Sequence, residues 1–184
     1  MLTFISGGAR SGKSEIAEQM AVRSYQQNQW IYEKSALYYL ATSQVLDREM
    51  ESRIMLHKDR RDSIWRTIEE PVEVDNVLRK VEKEDVVLLD CLTIWLNNMI
   101  YLHSATEEEL ASKIDEWSQI QKEKGFHLIV VSNDLNEDIP TQNDEVERYR
   151  RLLGKIHQFI VTHSDQAIQV VAGIPVTWKG APVI

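Results

Sequence analysis

The chain has almost no cysteine, no long apolar run and no excess of positive charge. The single cysteine, Cys91, excludes an intramolecular disulfide and any multi-cysteine zinc site. It sits in the apolar run Val86 to Leu92, where a small core residue is expected. No segment approaches the roughly 18 consecutive apolar residues of a membrane span. The short apolar stretch before Gly7 lacks the basic start and long hydrophobic stretch of a secretion signal, so a cytoplasmic protein is expected. The formal net charge of −8 gives no general pull toward nucleic acid or an anionic membrane, and any anion site must be local. Internal repeats, low-complexity tracts and interdomain linkers are also missing. The length of 184 residues suits one domain spanning residues 1–184.

What is present is an alternation of strands and helices. Met1 to Ser6 reads as a strand that runs into glycines and then a helix from about Lys13 to Arg23. Ser24 to Lys34 is polar and reads as a surface connection. Leu37 to Ala41, Val86 to Leu89, Leu128 to Val131 and Ala167 to Ala172 read as further strands, the central ones buried on both faces. Helices are expected over Asp47 to Arg61, Val72 to Glu82, Leu92 to Leu102, from Thr106 onward and from Val146 to His163. Thr106 with Glu109 three residues on is a capping box. Asn133 to Asn143 reads as a polar loop. The pattern predicts an α/β fold, a mostly parallel sheet with helices on both faces.

Gly7-Gly8-Ala9-Arg10-Ser11-Gly12-Lys13-Ser14 fits the phosphate-loop pattern G-x-x-x-x-G-K-[ST]. Glycines let backbone N–H groups wrap an anion, and the helix start near Lys13 offers unpaired N–H groups and a partial positive charge. Lys13 can reach the β- and γ-phosphates of a purine nucleoside triphosphate, and the Ser14 hydroxyl can ligate Mg²⁺. An acidic residue at the end of a buried strand is the usual second metal contact, and Asp90 fits. Alone, an Asp after an apolar run reads as a turn or N-cap residue.

Arg53, His57, Arg60 and Arg61 share one helical face by their spacing. In an acidic chain this is a candidate anion site, and a neutral imidazole beside cations is a competent nucleophile toward phosphorus. Taken alone, the segment reads sooner as a solvated charged helix balanced by Glu49, Glu51 and Asp59.

Several stretches taken in order carry more. Ser6 to Ser14, Tyr39-Leu40-Ala41-Thr42-Ser43-Gln44, Asp47, Glu49-Met50, Arg53-Ile54, His57-Lys58, Trp65-Arg66-Thr67 with Glu69, Leu88 to Thr93, Val131-Ser132-Asn133 and Gly173-Ile174-Pro175 together resemble the adenosylcobinamide kinase/adenosylcobinamide-phosphate guanylyltransferase family of cobalamin biosynthesis. The resemblance covers nearly the whole chain. It implies a RecA-like P-loop NTPase fold, often a trimer, so that a homo-oligomer is expected. It implies two reactions: phosphorylation of the aminopropanol hydroxyl of adenosylcobinamide with ATP or GTP, and transfer of GMP from GTP to that phosphate through a guanylylated histidine, giving adenosylcobinamide-GDP. The matching histidine is His57, with Lys13 as the second catalytic residue. The family's nucleotide contacts fall on Gly7 to Ser14, on Ala41, Thr42 and Ser43, on Lys58, Asp59, Arg60 and Arg61, and on Glu69 and Asp90; Ser14 and Asp90 are the metal positions. The implied partners are the corrinoid substrates, with no nucleic acid and no membrane span.

The chain departs from the family pattern in places. Position 90 is Asp where Glu is usual, and Arg60 stands where Gly is common. Asp134 to Ile139 lacks the usual glycines, Arg151 replaces an acid, and His157-Gln158 replaces Asn-Gln. From the residues alone two rivals stay open: a P-loop kinase of another small metabolite, and a non-catalytic GTP-binding regulator.

Overall fold

Alternating sides of the apolar runs find helices on both faces of one sheet. The structure is a computed structural model and describes residues 1–31, 34–43, 64–135 and 143–182. The helix expected over Asp47 to Arg61, with His57, Lys58, Asp59, Arg60 and Arg61, lies outside the described residues, as does most of the loop from Asp134 to Ile139. The described elements are β1 (Leu2–Gly7), α1 (Lys13–Ile31), β2 (Leu37–Ala41), β3 (Trp65–Glu69), α2 (Val74–Leu78), β4 (Val86–Asp90), α3 (Leu92–His103), α4 (Glu107–Lys124), β5 (His127–Asn133), α5 (Asp144–His163), β6 (Gln166–Val171) and β7 (Ile174–Lys179). They form a seven-stranded sheet in the order β3-β2-β4-β5-β1-β6-β7. All described pairings are parallel except β6 with β7.

Successive residues of a strand point to opposite faces, and the core divides accordingly. Phe4, Leu40, Val87, Leu89, Leu128 and Val130 pack with residues of α2, α3, α4 and α5. Trp95 of α3 meets Trp117 of α4 edge-on, with ring centroids 4.6 Å apart. Ile5, Tyr39, Leu88, Ile129, Val131 and Ile168 lie on the other face with Ala17 and Ala21 of α1. Small alanines let α1 lie close over the strands, which places its first residue directly beyond the end of β1. The capping box is present: the Thr106 hydroxyl accepts from Glu109 N, and Thr106 N donates to the Glu109 carboxylate.

Four elements differ from the sequence reading. Helix α1 continues to Ile31, so Ser24 to Ile31 is not a surface connection. This stretch has no glycine or proline to stop a helix, and a solvent-facing end needs no apolar stripe. It is anchored by Asn28, whose Nδ2 donates to Glu84 O at 2.7 Å, and by Ser24, whose hydroxyl bonds His127 Nδ1 at 2.9 Å. Helix α2 is shorter than expected, because Asp85 ties the chain into the turn before β4: its carboxylate accepts from Glu82 N and Ala36 N. Strand β3 was not expected; Trp65–Glu69 is an edge strand and carries no apolar run. Strand β7 was not expected either. Ala172 and Gly173, at φ 49° and 83°, make the two-residue turn with left-handed backbone that suits a hairpin, but Ala-Gly is not the usual signal for one.

Candidate active site

The phosphate-loop sequence lies between β1 and α1, a strand before and a helix after. Gly7 admits no side chain, since a Cβ there would stand 2.6 Å from both Ser11 Oγ and Val170 O. Gly12 takes φ 91°, a conformation that favours glycine. Ser11 N donates to Gly8 O at 3.2 Å, and Ile16 N starts the helical ladder on Gly12 O at 3.1 Å. Lys13 is 7% exposed, and its Nζ donates to Gly8 O at 3.0 Å, so the ammonium lies over the loop's own backbone. Burial lowers its pKa from the ordinary lysine value, opposed by Cys91 and Asp90. The Ser11 hydroxyl is buried with no hydrogen-bond partner among the described residues, and an anion seated in the loop would supply one.

The loop is held from two sides. Asp134 N donates to Gly7 O at 2.9 Å, and Gly173 N in the β6–β7 turn donates to Ser11 O at 2.8 Å. A Cβ on Gly12 would meet Gly173 Cα at 3.5 Å, so the two turns touch.

Parallel strands bring their carboxyl ends to one edge. Ala41 stands in register with both Glu69 and Asp90, which places the ends of β3, β2 and β4 in a row. Strand β5 separates β4 from β1, which puts Asp90 two strands from Ile5 in register, roughly 10 Å across the sheet at 4.8 Å per strand, with Gly7 two residues further along β1. The sequence-derived positions Gly7 to Ser14, Ala41, Thr42, Ser43, Glu69 and Asp90 therefore share one edge of the sheet, as ligand sites of parallel α/β sheets do. Thr42 stitches that edge: its hydroxyl donates to Cys91 O at 2.8 Å and accepts from Cys91 N at 2.9 Å. Burial, with Asp90 adding to it, pushes the Cys91 thiol up to about 12, so it stays protonated and chemically quiet.

The donor chemistry here fits Mg²⁺, which is held by one or two carboxylates, hydroxyls and substrate phosphates. Asp90 carries a carboxylate and Ser14 a hydroxyl at this edge, the donor types such an ion takes. Tyr39 was not singled out by the sequence, yet its hydroxyl donates to Asp90 Oδ2 at 2.6 Å and fixes that carboxylate.

A family model described as cobinamide kinase / cobinamide phosphate guanyltransferase matches residues 3–178. The chain belongs to this family. Among its relatives is the bifunctional adenosylcobalamin biosynthesis protein CobP of Pseudomonas aeruginosa, 34% identical over 184 residues that span all of both chains. The bifunctional adenosylcobalamin biosynthesis proteins CobU of Escherichia coli and Salmonella typhimurium are 28% and 29% identical, each over 97% of this chain and all of the relative.

In this cobinamide kinase / cobinamide phosphate guanyltransferase family member, a polar network absent from the sequence reading links the loop to the helices. Asn133 N donates to Thr93 Oγ1 at 2.8 Å, Thr93 Oγ1 meets Ser132 Oγ at 3.0 Å, and Ser132 Oγ meets His157 Nε2 at 2.7 Å. Tyr149 donates to Thr93 O at 2.7 Å. Only contact in three dimensions reveals it, because its members come from α3, β5 and α5.

Burial pushes the His157 imidazole down to about 4, with Asp134 opposing. In the unfolded chain this histidine takes up its proton near the ordinary value of about 6.5. Between those two values the unfolded state binds more protons, so the stability from a neutral His157 is fully present above about pH 6.5 and is lost as pH falls toward 4. Replacing it with a side chain that does not titrate, His157→Asn, flattens part of that decline. Chemical denaturation at pH 7 and pH 5 will show a smaller difference for the variant, by on the order of 1–2 kcal/mol; equal differences would refute the assignment.

Proposed function

We propose that this site runs both reactions of the family at one phosphate loop, with His57 as the carrier of GMP. The chain is an enzyme of cobalamin biosynthesis, a kinase and nucleotidyltransferase that uses nucleoside triphosphates and a cobinamide substrate. The observation that carries the reading is the Gly7–Ser14 loop with its buried Lys13, at the same sheet edge as Asp90, in a chain matched to the family along nearly its whole length.

In the transferase reaction an imidazole nitrogen of His57 attacks the α-phosphorus of GTP. The N–P bond forms as the bond to the bridging oxygen breaks, and pyrophosphate leaves. Lys13 and the loop amides neutralise the charge on the departing phosphates, and Lys58, Arg60 and Arg61 stabilise the α-phosphoryl oxygens. A phosphate oxygen of adenosylcobinamide phosphate then attacks the same phosphorus, the N–P bond breaks, and adenosylcobinamide-GDP is formed with His57 restored. In the kinase reaction the aminopropanol hydroxyl attacks the γ-phosphorus of ATP or GTP and loses its proton, with no covalent protein intermediate; positioning and charge carry the rate. Mg²⁺, held by Ser14 and Asp90, would supply charge neutralisation on the phosphates. Ala41, Thr42, Ser43, Asp59 and Glu69 complete the nucleotide contacts. The reactions belong to the cytoplasm, where ATP and GTP are available; among the described residues no helix is long and apolar enough to cross a membrane.

The protein works as a homo-oligomer, a trimer as in its family. Support comes from β7, which forms an edge of the sheet and leaves Ile174, Val176 and Trp178 exposed. Light scattering giving a monomer mass at working concentration would refute this.

Incubating the protein with Mg-GTP and either adenosylcobinamide or adenosylcobinamide phosphate tests the reading. Both should yield adenosylcobinamide-GDP, and failure with the phosphate substrate overturns the assignment. The departures at 134–139 and at Arg151 leave the Gly7–Ser14 sequence itself intact, and they are expected to make guanylylation faster than phosphorylation. Equal, rapid turnover of both substrates would show those departures to be neutral.

A further inference from the structure

A second concave surface lies apart from the nucleotide loop. A cleft of about 940 Å³ lies among the end of α3, the start of α4 and the first half of α5. That is the upper end of the range for ligand sites, roughly 300–1,000 Å³. We propose that this cleft seats the corrin ring of the cobinamide substrate. The inference rests on the family reading above and extends it to the acceptor pocket.

Three observations carry it. The first is position. Tyr149, on the cleft wall, donates to Thr93 O; Thr93 Oγ1 accepts from Asn133 N; and the next residue, Asp134, donates from its N–H to Gly7 O. The cleft wall and the start of the phosphate loop are thus tied through three residues, and an acceptor held in the cleft can present a flexible arm to the phosphates.

The second is the lining. Ile100 and Leu152 give an apolar floor, and Tyr101 and Tyr149 give aromatic walls. Tyr101 is 56% exposed, a large ring offered to whatever enters. Such surfaces suit a broad, apolar macrocycle.

The third is the rim, which carries both signs of charge. Arg148 and Arg151, three residues apart on α5, line the cleft and make no hydrogen bond or ion pair among the described residues. Glu107, Asp144 and Glu145 line it too, with Glu107 paired to Lys155 at 2.8 Å. A phosphate-rich ligand selects a rim of one sign. A corrin is edged with neutral carboxamides, whose carbonyls accept from guanidinium groups and whose N–H₂ groups donate to carboxylates. A mixed rim around an apolar floor matches that periphery. It also gives a place to Arg151, which stands where an acid is usual in the family.

Tyr101→Ala and the double variant Arg148→Ala/Arg151→Ala test the proposal, since all three side chains are exposed and outside the packed core. Guanylyl transfer to adenosylcobinamide phosphate is followed by the visible absorbance of the corrin in separated product. The KM for the corrinoid should rise at least tenfold in each variant, while the KM for GTP stays within twofold. Equilibrium dialysis of adenosylcobinamide should show the same loss. An unchanged corrinoid KM overturns the proposal, as does a parallel rise in both KM values, which would mark a structural effect. A changed oligomeric state with unchanged corrinoid KM would assign the cleft to subunit contact and also overturn it. If the wild-type protein turns over no corrinoid at all, the family reading fails and not the placement of the pocket.

Discussion

Protein carrying His57→Asn, incubated with α-labelled GTP and Mg²⁺, is expected to retain no acid-labile label, whereas the unaltered chain retains label through alkali and loses it in mild acid. A phosphoramidate has that stability, and a serine or threonine phosphoester does not. The variant should lose the transferase reaction, because His57 is the proposed carrier of GMP. It should still bind Mg-GTP, since the contacts of Gly7 to Ser14 are separate, and phosphorylation of adenosylcobinamide should remain measurable. His57 lies outside the described residues, so the assignment rests on the family position and on Lys58, Arg60 and Arg61 beside it. The structure does narrow the competitors. His157 is bound to Ser132 in the network at the loop, and His127 is pushed down to about 4 by burial and bound to Thr3 and Ser24. His163 Nδ1 donates to Phe159 O of its own helix, and its Nε2 stands 3.3 Å from Asp115 Oδ1. An acid-labile adduct surviving in His57→Asn would move the search to those three and His103.

Lys13→Ala should weaken Mg-GTP binding by about 10- to 150-fold, the equivalent of one charge-assisted hydrogen bond of about 1.5–3 kcal/mol. The ammonium is nearly covered and already sits over the loop through Gly8 O. A phosphate entering the loop meets a partly desolvated cation, whose attraction is stronger than that of an exposed one. The loss should be specific to phosphate: guanosine affinity should hardly change, and both reactions should slow. Titration calorimetry showing unchanged Mg-GTP affinity would contradict the role given to Lys13.

The parts of the molecule that follow from local chemistry could be read from the sequence. The Gly7–Ser14 loop is specified by residues that are neighbours in the chain, and the double-faced strands β4 and β5 announce themselves as unbroken apolar runs. The capping box at Thr106 and the buried, inert Cys91 are equally local. What stayed hidden depends on distant partners. Strand β3 exists because β2 offers it a ladder, and nothing in Trp65–Glu69 alone demands one. Helix α1 outruns its apolar stripe because its last two turns need only solvent and a few anchors. Tyr39 looks like a core residue of β2 until Asp90, 51 positions on, is seen to accept its proton donor. The cleft between α3 and α5 could not be read from spacing, since its walls come from three helices.

The ordering of the sheet has a consequence for how the protein is made. Strand β1 leaves the ribosome before the other described elements, yet its described partners are β5 and β6, and the turn that braces its loop contains Gly173. A growing chain therefore carries Leu-Thr-Phe-Ile without its described strand partners until β5 has been translated, and the phosphate loop lacks its Gly173 brace until the β6–β7 hairpin emerges. Contacts so distant along the chain form late. Nucleotide binding is then a property the molecule acquires once the β6–β7 hairpin is made, and chains stopped before β5 expose an apolar strand that invites aggregation.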